Sequence, residues 1–317
     1  MKAIVIDDFG GPERLHLAER PTPPIADDQV LVEVRVAGVN PIDWRIRNGQ
    51  LKQFVPYEFP IILGREMSGV VAAVGAAVTG FKPGDAVFGF LQQRHMHWGS
   101  YAQFVPTEAA KLAHKPPELG FEQAAALPVA GHTAWQGLFE VGQLNAGEVV
   151  LITGAAGGVG GVAVQMAHNA GATVIASASA ANHDYVRALG ADLAVNYHAP
   201  DFAADIARHF PQVDVIFAAF AGPSLQGCAP LVHAGTRIVL LSPEATQADM
   251  RVGGIESRIL IVRADGAQLE KIAALAVQGR LRQHIAAVLP LEHAARAQEM
   301  SATQHTRGKI LLRVAPD

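Results

Sequence analysis

The sequence predicts an α/β chain in two parts: a β-rich, partly open barrel and a doubly wound parallel sheet. Three observations predict it. Residues 149–179 read as strand, glycine-rich turn, helix and strand in direct succession. Residues 1 to about 124 carry many short apolar runs punctuated by glycine and proline. Beyond the glycine turn, helical and strand-like segments alternate as far as residue 262.

The glycine turn organises the rest. Val149-Val150-Leu151-Ile152 is a β-branched-rich apolar run, and Gly154-Ala155-Ala156-Gly157-Gly158-Val159-Gly160 follows it. Val162, Met166 and Ala170 then recur at helical spacing, Gly171 closes the helix, and residues 173–176 form a second buried strand. A diphosphate is bulky and charged, so backbone must approach it closely. Gly157 leaves that approach open, Gly160 lets helix pack on strand, and the helix N-terminus offers unpaired N–H groups with a partial positive charge. Ala156, Gly157, Gly158, Val159 and Gly160 are therefore the candidate dinucleotide-binding residues. Ala155 stands where the usual fingerprint has its first glycine, and a plain tight turn in a Gly/Ala-rich chain is the competing explanation. Residues 149–166 carry no charge, but five glycines and a turn argue against a membrane span.

The second strand bears on which dinucleotide binds. An NAD site ordinarily ends this strand with an acid for the ribose 2′-hydroxyl. Here it runs into Ser177-Ala178-Ser179, which removes a repulsion against a 2′-phosphate and offers two hydroxyls. Asn182 and Tyr197 are further candidate donors, although no Arg or Lys lies in 177–184. NADPH is the expected cofactor, with NADH possible; ordinary strand-end chemistry would equally place serines here.

The whole chain narrows the function classes. Its 317 residues suit two domains, and a hydrophobic fraction of 50% supports a large core. The net charge of −4 and the lack of a basic block leave no electrostatic footprint for nucleic acid. Cys228 is the sole cysteine, which excludes an internal disulfide and a multi-cysteine zinc site. The opening run of residues 1–8 reads as a short strand entering acids, so no signal peptide is expected and a cytoplasmic location is the default.

In chain order, residues 3–6 read as a strand, Pro21-Thr22-Pro23-Pro24 as a rigid connector and residues 30–36 as a half-buried strand. Residues 69–74, 86–89 and 100–105 are further strands, with Lys82-Pro83-Gly84-Asp85 a turn between two of them. Residues 121–127 and 133–140 read as helices leading into the glycine-turn region. After it come a helix at 184–189, a strand at 194–197, a helix at 202–209 and strands at 213–217, 237–241 and 259–262. A helix at 267–278, another at 292–300 and a closing strand at 310–314 complete the chain.

Four blocks together, GVNPIDWRIRNG (38–49), GREMSGVVAAVG (64–75), FKPGDAVFGF (81–90) and GAAGGVG (154–160), resemble the medium-chain dehydrogenase/reductase superfamily. Within it the chain is similar to the zinc-independent, zeta-crystallin-like quinone oxidoreductase branch, in the expected order from Lys2 to Val314. The resemblance implies a GroES-like catalytic barrel from residues 1–124 and 264–317, with a Rossmann dinucleotide-binding domain at 125–263 inserted between. It also implies a homodimer formed through the last strand of the Rossmann sheet.

Zinc enzymes of the superfamily bind catalytic metal through Cys, His and a second Cys or an acid. By motif alignment Asn40 and Arg65 occupy the first two of those positions, which leaves only Glu66. Asn is a poor zinc ligand and Arg has no lone pair to give, so no metal is expected; His95 and His97 lack a third ligand. Without zinc, reduction of an electron-poor quinone or conjugated enone is easier than oxidation of an alcohol, because it needs mainly alignment of the hydride donor. The family motif nominates Asn40, Asp43, Arg65 and Thr133 as catalytic residues, with Trp44 in the pocket wall. Arg65 either assists an oxyanion or pairs with Glu66 or Asp43, and Thr133 either opens a helix near the nicotinamide or caps it. Residues 92–98 form a loop suited to setting substrate choice. Leu241 and Ser242, at a strand exit, are expected beside the cofactor, and the family's strand-end tyrosine matches Tyr197. Residues 218–222 depart from the family's acid and Val-Gly pattern, and Arg307 and Lys309 read as a solvated turn, with contact to a cofactor phosphate as the alternative.

The expected activity is NADPH-dependent reduction of a small-molecule quinone or α,β-unsaturated carbonyl, with neither nucleic acid nor membrane as partner. The alternatives are a 2-enoyl-thioester reductase, for which the sequence offers no basic channel mouth, and a non-catalytic NADPH-binding sensor or structural protein.

Overall fold

The computed structural model describes residues 1–92, 95–241 and 245–315. The chain divides into two compact units: Met1–Val129 with Arg263–Gly279 and Gln283–Asp317, and Ala130–Val262 with Arg280–Arg282.

The first unit opens with β1 (Lys2–Ile6), β2 (His16–Glu19), β3 (Gln29–Val39), β4 (Ile61–Ile62), β5 (Glu66–Val74), β6 (Ala86–Phe90), β7 (Phe104–Glu108) and β8 (Leu112–His114). The second unit contributes β9 (Val149–Thr153), β10 (Thr173–Ala178), β11 (Leu193–Asn196), β12 (Val215–Ala218), β13 (Arg237–Leu240), β14 (Arg251–Val252) and β15 (Ile255–Ile259). The chain then returns to the first unit for β16 (Ile285–Pro290) and β17 (Lys309–Arg313). Four helices position the residues discussed below: α1 (Pro41–Arg47), α2 (Phe121–Ala125), α3 (Pro128–Trp135) and α4 (Gly158–Asn169).

In the first unit β3 is the spine. Its alternating valines at 30, 32 and 34 are buried, as one face of a pleated strand requires. It pairs antiparallel with β5, β7 and β17, and β17 in turn lies parallel to β16. The sheet order is β16-β17-β3-β5-β6-β8, beside a small β2-β1-β4 sheet. Ile310 and Leu312 on β17 enter the main core with Val30, Val32 and Met67, while Leu311 faces Ala125 and Ala126 on the other side.

The second unit is a seven-stranded sheet ordered β11-β10-β9-β12-β13-β15-β14. All of its pairings are parallel except the last, so its first six strands have the doubly wound order expected of a Rossmann domain. The order reverses between β9 and β12, and there the chain leaves β9 through the glycine turn.

Three sequence-based boundaries move. The strand expected at 100–105 lies at Phe104–Glu108. The last Rossmann strand, expected at 259–262, lies at Ile255–Ile259 and forms a hairpin with β14 through Gly253 and Gly254. Both glycines have positive φ, +55° and +86°, which a two-residue hairpin loop needs and a periodicity argument does not register. The helix expected from residue 133 starts at Pro128, a residue suited to a first turn, so Thr133 sits inside α3 and is neither its opening residue nor its cap. No helix among the described residues is long and apolar enough to cross a membrane.

Candidate active site

In the first unit three strands bring distant residues to one end of the sheet. Val39, the last residue of β3, pairs with Ile310 of β17, and Gly38 pairs with Glu66, the first residue of β5. Asn40, Glu66 and Lys309 are consequently neighbours. Gly38 is required here, because a Cβ would overlap the Glu66 carboxylate. All three side chains are buried.

They form a closed hydrogen-bonded set. Lys309 Nζ donates to Glu66 Oε1 in a short ion pair and to Asn40 Oδ1 at 2.6 Å. Asn40 Nδ2 donates to Glu66 Oε1 at 2.9 Å, and the Val129 amide donates to Glu66 Oε2 at 2.7 Å. Buried charges persist when they are paired and their remaining lone pairs are satisfied, and this pair meets both conditions. Lys309, expected in a solvated turn, is thus only 5% exposed and is corrected to a member of the buried site. The sequence marked neither Lys309 nor Glu66 as a site residue. The available signal was a charge as the first residue of each of two strands that are otherwise mostly apolar.

Asn40 also begins α1, with Pro41 in its first turn. The Asn40 amide donates to Asp43 Oδ2 at 2.9 Å, and the Tyr101 hydroxyl donates to the same oxygen at 2.9 Å. Asp43 is fully buried. Burial pushes its carboxyl up to about 6, against the lowering effect of the Asn40 and Tyr101 bonds and the charges of Arg65 and Lys309. Tyr101 is raised well above the ordinary phenol range by its own burial and by Asp43. Trp44 follows on α1, with the Arg45 guanidinium 5.1 Å from its ring centroid.

Arg65 stands apart from this closed set. Of the two pairings expected for it, with Glu66 or with Asp43, neither forms: Glu66 is taken by Lys309, and no carboxylate among the described residues lies in ion-pair range of Arg65. Its Nη1 reaches only Met96 Sδ, at 3.5 Å, and its guanidinium lies 5.7 Å from the Phe90 ring centroid. Burial lowers its pKa, with Asp43 the largest opposing influence.

The second unit builds its site from backbone. Gly154 leaves β9 with φ +63°, and the Gly157 amide donates to the Gly154 carbonyl at 3.0 Å. Gly157 then caps α4 with extended backbone and no side-chain hydrogen bond, so the first amides of this twelve-residue helix are not covered by a capping side chain. A Cβ on Gly160 would overlap the Gly154 carbonyl, while one on Gly157 would meet only Gly154 O, at 3.3 Å. Gly160 is therefore needed for packing within the turn, and Gly157 borders space. Ala156 lies in this turn, and Gly158 and Val159 open α4. This arrangement fits a diphosphate.

Ser177, near the end of β10, is buried, and its carbonyl accepts from the Ala155 amide at 3.1 Å. Asn182 Nδ2 donates to Ser179 Oγ at 3.0 Å, which brings two of the nominated polar residues together just past β10. Tyr197 follows β11, with its ring 4.1 Å from that of His198. The Leu241 amide donates to the Ala218 carbonyl at 2.9 Å, so Leu241 exits beside the end of β12. Ser242 lies outside the described residues. Thr133 is nearly buried, at 8% exposure. At the switch point Thr153 Oγ1 accepts from the Ala219 amide at 2.9 Å, and a Cβ on Gly154 would meet the Phe220 ring at 3.0 Å. The segment that departs from the family pattern thus borders the glycine turn.

Comparison with known proteins identifies the family. Residues 26–117 match the alcohol dehydrogenase GroES-like domain, and residues 189–312 match the zinc-binding dehydrogenase domain. The chain is 30% identical to the chloroplast envelope quinone oxidoreductase homolog of Arabidopsis thaliana over 98% of each chain. It is 32% identical to the chloroplastic NADPH-dependent alkenal/one oxidoreductase of the same plant, covering 100% of this chain and 80% of that protein. The chain belongs to the medium-chain dehydrogenase/reductase superfamily. It is an oxidoreductase, and its GroES-like and Rossmann architecture is that of the solved quinone oxidoreductase of Coxiella burnetii, which superposes with a TM-score of 0.91 at 34% identity over 99% of both chains. The expectation of a cytoplasmic location is corrected by the relatives: both plant proteins are chloroplast proteins by name.

The zinc-binding description of one matched domain calls for a test against the donors present. At the corresponding positions Asn40 has both ends of its amide engaged, Arg65 is a cation, and Glu66 is neutralised by Lys309. A metal ion there would have to displace a buried ammonium and accept an amide as ligand. The residues do not fit zinc.

Proposed function

We propose that the chain is a zinc-independent, NADPH-dependent reductase of quinones or α,β-unsaturated carbonyls. The observation that supports this reading is the Asn40–Glu66–Lys309 set, a fixed cation and a fixed amide beside the positions that motif alignment matches to the metal ligands of the superfamily's zinc enzymes. An amide nitrogen has two hydrogens. In Asn40 one is committed to Glu66, and the other is oriented toward an acceptor oxygen, where it stabilises charge that develops as hydride arrives. Lys309 holds the amide in that orientation from its oxygen end. Trp44 lines the acceptor side, and Asp43 fixes the start of α1. Thr133 belongs to the nicotinamide end.

When bound, the nicotinamide supplies the hydride. The amides of Ala156, Gly157, Gly158, Val159 and Gly160 would hold its diphosphate. Ser177, Ser179 and Asn182 would receive the 2′-phosphate, Tyr197 would stand at the adenine side and Leu241 at the nicotinamide side. The absence of an acid at the end of β10 supports NADPH over NADH, as does the NADPH dependence named for the plant alkenal/one oxidoreductase. A homodimer belongs to the same reading. Exposed Ile259, at the end of β15, and Ile261, 84% exposed, support association there.

The test is cofactor oxidation by metal-stripped protein, comparing NADPH with NADH and a small quinone with a small enone. The expected outcome is turnover that prefers NADPH and is indifferent to chelator, with the better acceptor dividing quinone from enone. NADPH binding without reduction of any acceptor would falsify the catalytic reading.

A further inference from the structure

Thr153, the last residue of β9, has a different neighbour on each side. In the sheet register its partner on β10 is Ser177. On the other side its Oγ1 accepts from the amide of Ala219, the residue after β12. The residues nominated for the 2′-phosphate, Ser177, Ser179 and Asn182, all lie on or just past β10. A dinucleotide that rests its diphosphate on the glycine turn and its adenosine half on the β10 side sends its other half toward β12, because the two halves lie on either side of the reversal in strand order. The side chain standing there is Phe220.

Phe220 differs from its neighbour Phe217. Phe217 is fully buried, whereas Phe220 is 41% exposed. Its ring edge lies against the glycine turn, where a Cβ on Gly154 would come within 3.0 Å of Phe220 Cε2. The backbone that carries the ring is held on both sides. Ala219 is tied to Thr153, and the Gly222 amide donates to Asp249 Oδ1 at 2.6 Å. Asp249 is itself buried, and its Oδ2 accepts from the Thr246 amide at 2.9 Å and the Thr246 hydroxyl at 2.7 Å. A single exposed phenylalanine is ordinary on a surface. A ring that abuts the diphosphate turn, on backbone pinned before and after it, is a fixed apolar face at the edge of the crevice. The Val-Gly that the family carries after this strand has no ring to offer.

We propose that Phe220 is a cofactor-positioning residue whose ring packs on the nicotinamide nucleoside and not on the adenosine half. This rests on the dinucleotide reading of the glycine turn and deepens it by assigning the β12 side of the crevice. An aromatic ring gains from contact with another flat ring, and the contact takes exposed apolar surface of Phe220 out of water. Affinity for the phosphates is then set by the turn and the Ser179 region, and affinity for the nicotinamide half by an apolar contact. No covalent step is involved.

The experiment measures dissociation constants for NADPH and for adenosine 2′,5′-bisphosphate, which keeps the adenosine half and lacks the nicotinamide, in wild type, Phe220→Ala and Phe220→Tyr. Expected in Phe220→Ala is a loss of about tenfold or more for NADPH, as removal of a stacking aromatic gives. The bisphosphate should bind that variant as it binds wild type, and Phe220→Tyr, which keeps the ring, should bind both ligands normally. The emission of saturating bound NADPH, which reports the surroundings of the reduced nicotinamide, should shift toward that of free NADPH in Phe220→Ala. Equal weakening of both ligands places the ring on the adenosine half or the turn and overturns the proposal. Unchanged binding of both overturns it as well, with the dinucleotide reading intact. If wild type binds neither ligand, the dinucleotide reading fails and the proposal falls with it.

Discussion

The two units solve the same problem, holding charge at a defined place, with different materials. The first unit uses side chains: a lysine, a glutamate and an asparagine drawn from three strands and locked together in the interior. The second uses uncovered backbone amides at one glycine turn. The difference teaches where each site is vulnerable. A charge network fails when one partner goes and leaves the other buried and alone. A backbone cradle fails when any atom is added to it.

The largest effect should follow from breaking the pair in the first unit. Lys309→Met leaves Glu66 buried without its ammonium, and the expected loss is about 3–5 kcal/mol in unfolding free energy by urea titration. The double variant Lys309→Met/Glu66→Leu should recover much of that, since an apolar pair removes both unpaired charges. If the single variant is as stable as wild type, the pair is not the buried interaction described here.

Asp43 gives a somewhat smaller and pH-dependent effect. Its carboxyl rises from the ordinary 3.8 to about 6 on folding, so the folded chain holds that proton more readily than the unfolded one. Stability from this group is fully present below pH 3.8 and is lost as pH rises through 6, a swing of about 3 kcal/mol. Between pH 4 and 6 wild type should therefore lose stability relative to Asp43→Asn. Parallel stability curves across that window would show that Asp43 titrates normally.

The smallest of the three lies in the second unit. Gly160→Ala places a methyl against the Gly154 carbonyl, so the turn must shift. NADPH should bind at least tenfold more weakly, about 1.4 kcal/mol, by fluorescence titration, with the acceptor side unaltered. Unchanged cofactor affinity would mean that the turn is not the cradle.

The same contrast explains how much was legible in the sequence. The glycine turn was readable because its parts are neighbours: a strand, seven residues and a helix carry the whole argument. The doubly wound sheet was readable for the same reason, one strand and helix at a time. The ion pair was not, because Lys309 and Glu66 are 243 residues apart and only sheet register joins them. Seen singly, a lysine beside Gly308 looks like a solvated turn, and a glutamate beside Arg65 looks like that arginine's partner. Thr133 was misplaced by a different cause. The helix begins earlier, at a proline, and the apolar pattern after residue 133 obscured that start.

The position of β17 between β16 and β3 has a consequence for the order in which the protein is made. On a ribosome the glycine turn and the strands on either side of it emerge within a few dozen residues of one another. Glu66 and Asn40 emerge earlier still, but the lysine that neutralises the one and orients the other follows Glu66 by 243 residues. Until Lys309–Arg313 has been added, β3 lacks its neighbour on one edge along Val36–Val39, and a buried acid lacks its base. The nascent chain can thus assemble its nucleotide cradle well before the acceptor side exists, and completion of that side is tied to arrival of β17.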